Sequence, residues 1–254
     1  MDLELKGKVA LVTGGATGIG AGISEYLAAE GVNVAVNYIV DEPQVLAFTN
    51  RLQDQYGVET LPVYGDVSKS ADNDEMVART LKRFAKIDIL VNNAGIWPTE
   101  DMIEMPDAHW QRVIDINLNG AYMLSKRVVR SMIERKIGGV VINMSSKSGI
   151  QCSTGGHGHY TTAKAGLNML TRSLAREISH LGIRVVGIAP GMVRTPINED
   201  KWKQDGLMEE YLERIPVGRF AEPIEIGYLV AFLASSKACN ITGTTLDSTG
   251  GMLI

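Results

Sequence analysis

Lys8-Val9-Ala10-Leu11-Val12-Thr13-Gly14-Gly15-Ala16-Thr17-Gly18-Ile19-Gly20 is the stretch on which the fold turns. Lys8–Thr13 is a short apolar run rich in β-branched residues, the pattern of a strand buried on both faces. Glycines follow at once, and from Ala21 to Glu30 the apolar residues Ile23, Tyr26 and Leu27 recur at helical spacing up to a stop at Gly31. A strand, a glycine turn and a helix N-terminus together form a phosphate-binding corner. Absent side chains let the backbone approach a pyrophosphate, and the first helical turn offers free N–H groups and a positive dipole end. The spacing is Gly-x-x-x-Gly-x-Gly rather than the commoner Gly-x-Gly-x-x-Gly. A plain tight turn would also carry glycines; the position between strand and helix is what points to a dinucleotide.

Working outward, Val32–Asn37, Thr60–Tyr64, Ile87–Val91 and Val140–Met144 read as further strands, with helical patterns over Gln44–Tyr56 and Asp72–Phe84. Strands alternating with helices predict an α/β domain with a parallel, doubly wound sheet and helices on both faces. In such sheets ligands lie at the carboxyl ends of the strands, where Gly14, Asp66, Asn93 and Ser145-Ser146 fall. An acidic residue at the end of the second strand would favour NAD and a nearby Arg would favour NADP. This chain has Asn37-Tyr38-Ile39-Val40 there, and Thr17 in the loop is also uncharged. A 2′-phosphate would lack charge-assisted partners, which favours NAD over NADP.

Chemistry concentrates in the second half. Helical stretches run over Ala108–Asp115 and Leu118–Arg135, with Asn117 set between Ile116 and Leu118. A buried amide must find partners, so Asn117 either ties two segments together or serves the site. Tyr160-Thr161-Thr162-Ala163-Lys164 places a phenol and an ammonium one helical turn apart. The ammonium stabilises a phenolate and brings the phenol toward the range of a useful acid–base catalyst. His157-Gly158-His159 lacks an obvious third ligand, and no metal site is expected.

Composition sets outer limits. The chain has 254 residues, 45% hydrophobic and 21% charged, which suits one large globular domain. A formal net charge of −4 supplies no basic field for nucleic acid or anionic membrane. Two cysteines, Cys152 and Cys239, make neither a disulfide scaffold nor a zinc motif. The first residues are not read as a secretory signal, no apolar run reaches membrane-spanning length, and a cytoplasmic location is expected.

Taken in order, Thr13-Gly14-x-x-x-Gly18-Ile19-Gly20, Asp66-Val67, Asn92-Asn93-Ala94-Gly95, Asn117, Ser146, Tyr160-x-x-x-Lys164 and Pro190-Gly191 resemble the short-chain dehydrogenase/reductase family of about 250 residues, along essentially the whole chain. The resemblance implies a single Rossmann-like domain over residues 1–254, a seven-stranded parallel sheet, a nicotinamide cofactor and a homotetramer. It makes Tyr160 the general acid/base and Lys164 the residue that tunes it and holds the nicotinamide ribose. Ser146 would bond the substrate oxygen, and Asn117 would support a water relay to Lys164. The cofactor would lie along Gly14, Thr17, Gly18, Ile19, Gly20, Tyr38, Asp66, Val67, Asn93, Ala94, Gly95, Tyr160, Lys164, Pro190, Gly191, Val193 and Thr195. Tyr160 follows Ser146 by fourteen residues, one more than the family spacing, so Ser145 and Ser148 stand as competitors for the serine role. The helix from Tyr160 to His180 carries apolar residues on more than one side, compatible with burial against a partner subunit.

Residues 192–215 read either as a substrate lid or as a surface helix pair; the stretch includes Trp202, Lys203 and Tyr211. Thr195-Pro196-Ile197-Asn198 and the closing Asp247-x-x-Gly250-Gly251-Met252 resemble bacterial glucose 1-dehydrogenases within the family, implying a sugar or polyol substrate. Lys147, His157, His159 and Arg194 flank the expected site and are either solvated charges or contacts for an anionic sugar. A 3-oxoacyl-thioester reductase would share every catalytic motif, and a non-catalytic dinucleotide-binding sensor could share the fold.

Overall fold

The computed structural model describes residues 2–152, 155–195 and 207–254. In chain order the elements are β1 (Val9–Val12), α1 (Gly18–Ala29), β2 (Asn33–Tyr38), α2 (Glu42–Tyr56), β3 (Thr60–Tyr64), α3 (Ser70–Phe84), β4 (Ile89–Asn92), α4 (Asp107–Ile114), α5 (Gly120–Glu134), β5 (Gly139–Met144), α6 (Gly158–Ile178), β6 (Ile183–Pro190), α7 (Leu207–Glu213), α8 (Pro223–Ala234) and β7 (Thr245–Ser248). The seven strands form one parallel sheet in the order β3-β2-β1-β4-β5-β6-β7. The chain winds outward from β1 to β3, then returns to lay β4 on the other side of β1. That reversal opens a crevice at the carboxyl ends of β1 and β4.

Side chains alternate between two apolar layers, as the pleat requires. Ala10, Val12, Val34, Val36, Ile89 and Val91 pack with Ile23 and Leu27 of α1 and Ile226 and Val230 of α8. Leu11, Ala35, Leu90 and Val141 face the opposite way, onto Met76 of α3, Leu124 and Val128 of α5 and Ala175 of α6. The α1–α8 contact is backbone against backbone: a Cβ on Gly22 would stand 2.3 Å from the Pro223 carbonyl carbon.

Two boundaries differ from the pattern reading for identifiable reasons. Helix α1 begins inside the glycine loop at Gly18, because Thr17 is its N-cap and the glycines carry the first turn. The two stretches expected around Asn117 are one continuous path, joined by a π-helical turn over Asp115–Asn119. Wide turns of this kind loosen the backbone ladder and mark functional sites. Here the Asn117 Nδ2 donates to the Val113 carbonyl at 3.0 Å and to the Ile96 carbonyl at 3.0 Å, tying the helix to the loop after β4.

Candidate active site

The glycine corner is built for an anion. Gly14 (φ +57°) and Gly18 (φ +50°) adopt left-handed backbone that suits glycine. A Cβ on Gly20 would fall 2.0 Å from the Gly14 carbonyl oxygen and 2.7 Å from the Asn93 Nδ2. The first turn of α1 carries no acidic side chain, and Thr17 leaves its N–H groups uncapped. Thr13 and Asn93 lock the corner to the end of β4. The Thr13 hydroxyl accepts from the N–H groups of Asn93 and Ala94, both at 2.9 Å, and the Asn93 amide donates to the Thr13 carbonyl. These residues fit a dinucleotide pyrophosphate.

Asn37, at the expected ribose edge, is buried inward instead. Its Oδ1 accepts from Gly14 N and its Nδ2 donates to the Val63 and Gly65 carbonyls, fastening the glycine loop to β3. Tyr38 lies beside it with its hydroxyl on the Glu42 carboxylate at 2.9 Å. Burial first, then Glu42, pushes the Tyr38 phenol up, while a nearby Arg79 opposes them. Asp66 folds its carboxylate onto the Ser68 N–H and hydroxyl, and the Val67 carbonyl accepts from Asn73.

At the carboxyl ends of β4, β5 and β6 a cleft of about 180 Å³ opens. Its walls include Ile19, Asn93, Gly95, Asn117, Ser146, Tyr160, Lys164, Pro190, Gly191, Val193 and Thr195. A buried polar ladder places α6 against it: Asn92 donates to Asn143 and Asn143 to Thr171, at 2.8 and 2.9 Å. Gly149 lies against the same helix, where a Cβ would stand 2.7 Å from the Lys164 carbonyl carbon.

Within the cleft Tyr160 and Ser146 share one wall, and the Ser146 side chain works to lower the phenol's pKa. Ser146 Oγ accepts from Ser148 N at 3.1 Å. The Ser145 hydroxyl is directed to the Lys164 carbonyl at 3.3 Å, so of the two neighbours Ser146 is the serine that acts on the Tyr160 phenol. Lys164 is buried; its Nζ donates to the Met144 carbonyl at 2.8 Å and sits 5.5 Å from the centre of the Tyr160 ring. Burial brings its pKa down to about 8. Burial pushes the Tyr160 phenol up, against the lowering effect of Ser146. The sequence expectation was a phenol lowered by its lysine. Here burial raises the phenol and Ser146 alone acts to lower it, while the Lys164 ammonium is turned toward the Met144 carbonyl.

Asn117 Oδ1 is buried with no hydrogen-bond partner among the described residues. A Cβ on Gly95 would lie 2.6 Å from it and 3.6 Å from Lys164 Nζ, so both polar atoms border the Gly95 backbone. An orphaned buried carbonyl next to an ammonium is a place for an ordered water.

The four candidate substrate contacts separate. Lys147 lines the cleft; His157, His159 and Arg194 do not. Arg194 closes on Glu222 at 3.1 Å over the Phe220 ring. His159 is fully buried, and His157 points its Nδ1 at the Pro98 carbonyl, at 2.9 Å. His157 stacks on Trp97, centroid to centroid 4.7 Å, and Trp97 in turn stands 6.2 Å from the Tyr160 ring. Trp97 is a cleft wall that motif reading missed, although an aromatic two residues after Asn93-Ala94-Gly95 was a usable signal. Among the described residues no cluster of His, Cys, Asp and Glu could hold a metal, and no helix is long and apolar enough to cross a membrane. Of the 192–215 segment, Trp202 and Lys203 lie outside the described residues, as do Pro196-Ile197-Asn198. Met208, Tyr211 and Leu212 of α7 pack on Met192, Ile215 and Phe220.

A family model described as enoyl-(acyl carrier protein) reductase matches residues 14–253. The chain belongs to the short-chain dehydrogenase/reductase family. It is an NAD(P)-dependent oxidoreductase of that family. It is 38% identical over 245 residues to the 3-oxoacyl-[acyl-carrier-protein] reductase FabG of Staphylococcus epidermidis, covering 96% of this chain and 98% of that one. It is also 38% identical over 251 residues to 3beta-hydroxysteroid dehydrogenase 1 of Eggerthella lenta, covering 99% and 95%. Among solved structures, a protein of Agrobacterium tumefaciens provisionally assigned as a gluconate dehydrogenase superposes with TM-score 0.94 at 33% identity, over 100% of this chain and 98% of that one. The L-sorbose reductase of Gluconobacter frateurii, complexed with NADPH and L-sorbose, superposes with TM-score 0.92 at 32% identity, over 100% and 99%.

Proposed function

We propose that the protein interconverts a secondary alcohol of a sugar or polyol and its carbonyl, with Tyr160 as the acid/base. The observation that carries this is the meeting of Ser146, Tyr160 and Lys164 in one cleft that opens beside the glycine corner. The bound nicotinamide supplies or accepts the hydride. The chain's own residues handle the oxygen and the proton. Ser146 and Tyr160 converge on the substrate oxygen, Ser146 steadying charge as it develops there. In reduction Tyr160 donates its proton to that oxygen; in oxidation it takes the proton back. A phenol held up by burial is protonated at neutral pH and ready to donate. Lys164 fixes a cation behind the phenol, and Asn117 Oδ1 holds the water that connects the pair to solvent.

The Gly14–Gly20 corner, Asn93 and Lys164 would hold the cofactor, with Asp66 and Val67 at its adenine end. NAD is the preferred form, supported by the Glu42 carboxylate bonded to Tyr38 at the end of β2. That negative charge opposes a 2′-phosphate. Met192, Val193 and Thr195, the described start of the 192–215 segment, stand in the wall of the cleft, which supports this end of the segment as one side of its cover. We include a homotetramer in the reading, supported by the exposed Tyr122 of α5 and Met169 of α6.

The sugar reading draws on the sorbose reductase and on the protein assigned as a gluconate dehydrogenase. Reduction of a 3-oxoacyl thioester is the second reading, favoured by the FabG relatives. A spectrophotometric screen with NAD and NADP over sugars, polyols, aldonates and acetoacetyl thioesters separates them. Turnover of thioesters alone would replace the sugar reading, and turnover of none of these classes with either cofactor would refute both.

A further inference from the structure

Lys147 belongs to two hollows. One is the catalytic cleft, where it follows Ser146 directly. The other, about 210 Å³, is walled by Lys147, Gln151, Cys152, Arg214, Met252 and Leu253. Three separate stretches meet there: the turn after β5, the residue after α7, and the last residues of the chain. They place two cations in one hollow, and like charges in a partly desolvated setting repel. Burial first, and the Arg214 charge second, hold Lys147 below its ordinary value.

Lys147 is engaged in a further contact of its own. Arg214 is more open. Its guanidinium lies 5.9 Å from the Tyr211 ring, and among the described residues no carboxylate lies within ion-pair distance of it. Arg194 and Arg219, on neighbouring segments, are each closed by a glutamate. A guanidinium offers five donors in a planar fork that matches an oxyanion. An anion bonds that fork with charge on both sides; a neutral polyol does not.

We propose that this second hollow is an oxyanion subsite: the substrate presents its reacting oxygen to Ser146 and Tyr160 and a carboxylate, phosphate or sulfonate to Lys147 and Arg214. This rests on the reading of the cleft as an alcohol/carbonyl site. It narrows the substrate to one bearing a fixed negative charge away from the reacting carbon.

The test is steady-state kinetics of the full chain on matched pairs: gluconate against sorbitol, glucose 6-phosphate and a 6-sulfonated glucose against glucose. At least one anionic class should exceed its neutral partner about tenfold or more in kcat/KM, and which class does so distinguishes carboxylate, phosphate and sulfonate. Arg214→Gln should raise KM for that substrate about tenfold to a hundredfold more than for its neutral partner, the size expected for losing a charged hydrogen-bond donor. Arg214→Lys should recover only part. Isothermal titration of gluconate and inorganic phosphate into wild type and Arg214→Gln gives a readout independent of turnover. Equal efficiency on both members of every pair would overturn the proposal, as would an anion preference that survives both Arg214→Gln and Lys147→Gln. If neutral alcohols turn over without anion preference, the subsite fails and the oxidoreductase reading stands. If turnover survives Tyr160→Phe, the assignment of Tyr160 as acid/base fails, whatever Arg214 binds.

Discussion

Replacing Lys164 by methionine should stabilise this protein while silencing it. The Lys164 ammonium is 4% exposed and its one hydrogen-bond partner among the described residues is the Met144 carbonyl. Its pKa is lowered from 10.5 to about 8 by burial. At about 1.4 kcal/mol per pH unit, keeping that charge inside the fold costs about 3 kcal/mol near neutrality. The sign follows from proton counting. Below about pH 8 both folded and unfolded chains carry the proton and the full penalty applies. Between about 8 and 10.5 the unfolded chain binds more protons than the folded one, so stability rises with pH. Methionine fills similar volume without charge. It forfeits the bond to Met144, worth about 1 kcal/mol, for a net gain of about 2 kcal/mol. For a chain of this size that is a rise of about 4–8 °C in melting temperature at pH 7. Thermal melts of Lys164→Met and wild type at pH 7 and pH 10 measure it, and the gap should close at pH 10. A variant that melts below wild type at pH 7, or a gap that ignores pH, would refute the reasoning.

Three other substitutions have defined outcomes. Gly20→Ala drives a methyl group to within 2.0 Å of the Gly14 carbonyl oxygen. Fluorescence titration should show nicotinamide dinucleotide binding weakened at least about a hundredfold, since the corner must open to admit it, while circular dichroism remains native. Glu42→Gln removes the charge bonded to Tyr38. The ratio of kcat/KM for NADP to that for NAD should rise roughly fivefold or more, a shift of about 1 kcal/mol. Gly22→Ala, on the face of α1 packed against α8, collides with the Pro223 backbone at 2.3 Å. Denaturant melts should show a loss of about 1–3 kcal/mol from overpacking, with the Michaelis constants unchanged.

The strands and the glycine corner were legible because their signals are local. An apolar run, a glycine cluster and a helical period each lie within a dozen residues, and the parallel, doubly wound sheet follows from their alternation. The π turn at Asp115–Asn119 was not legible. Its cause is the Asn117 amide reaching the Ile96 carbonyl across a loop, a contact between residues 21 apart in sequence. Ser146 shares the cleft wall with Tyr160 despite the extra residue between them, with Ser145 directed to the Lys164 carbonyl. Arg194, next to cleft residues in sequence, is drawn away by Glu222, while Arg214 comes close to Lys147 from beyond α7. Charge in a sequence shows which side chains exist; only the fold shows which carboxylates claim them. The direction of the Tyr160 shift belongs to the same class, since desolvation depends on walls such as Trp97 that no motif names.

The most direct test of the proton-transfer role is Tyr160→Phe, assayed by absorbance of reduced nicotinamide with the best substrate from the screen. The substitution keeps the ring beside Trp97 and deletes only the hydroxyl. Losing the acid/base should lower kcat by about a hundredfold or more, with dinucleotide affinity within about twofold of wild type. Turnover within about threefold of wild type would contradict the account.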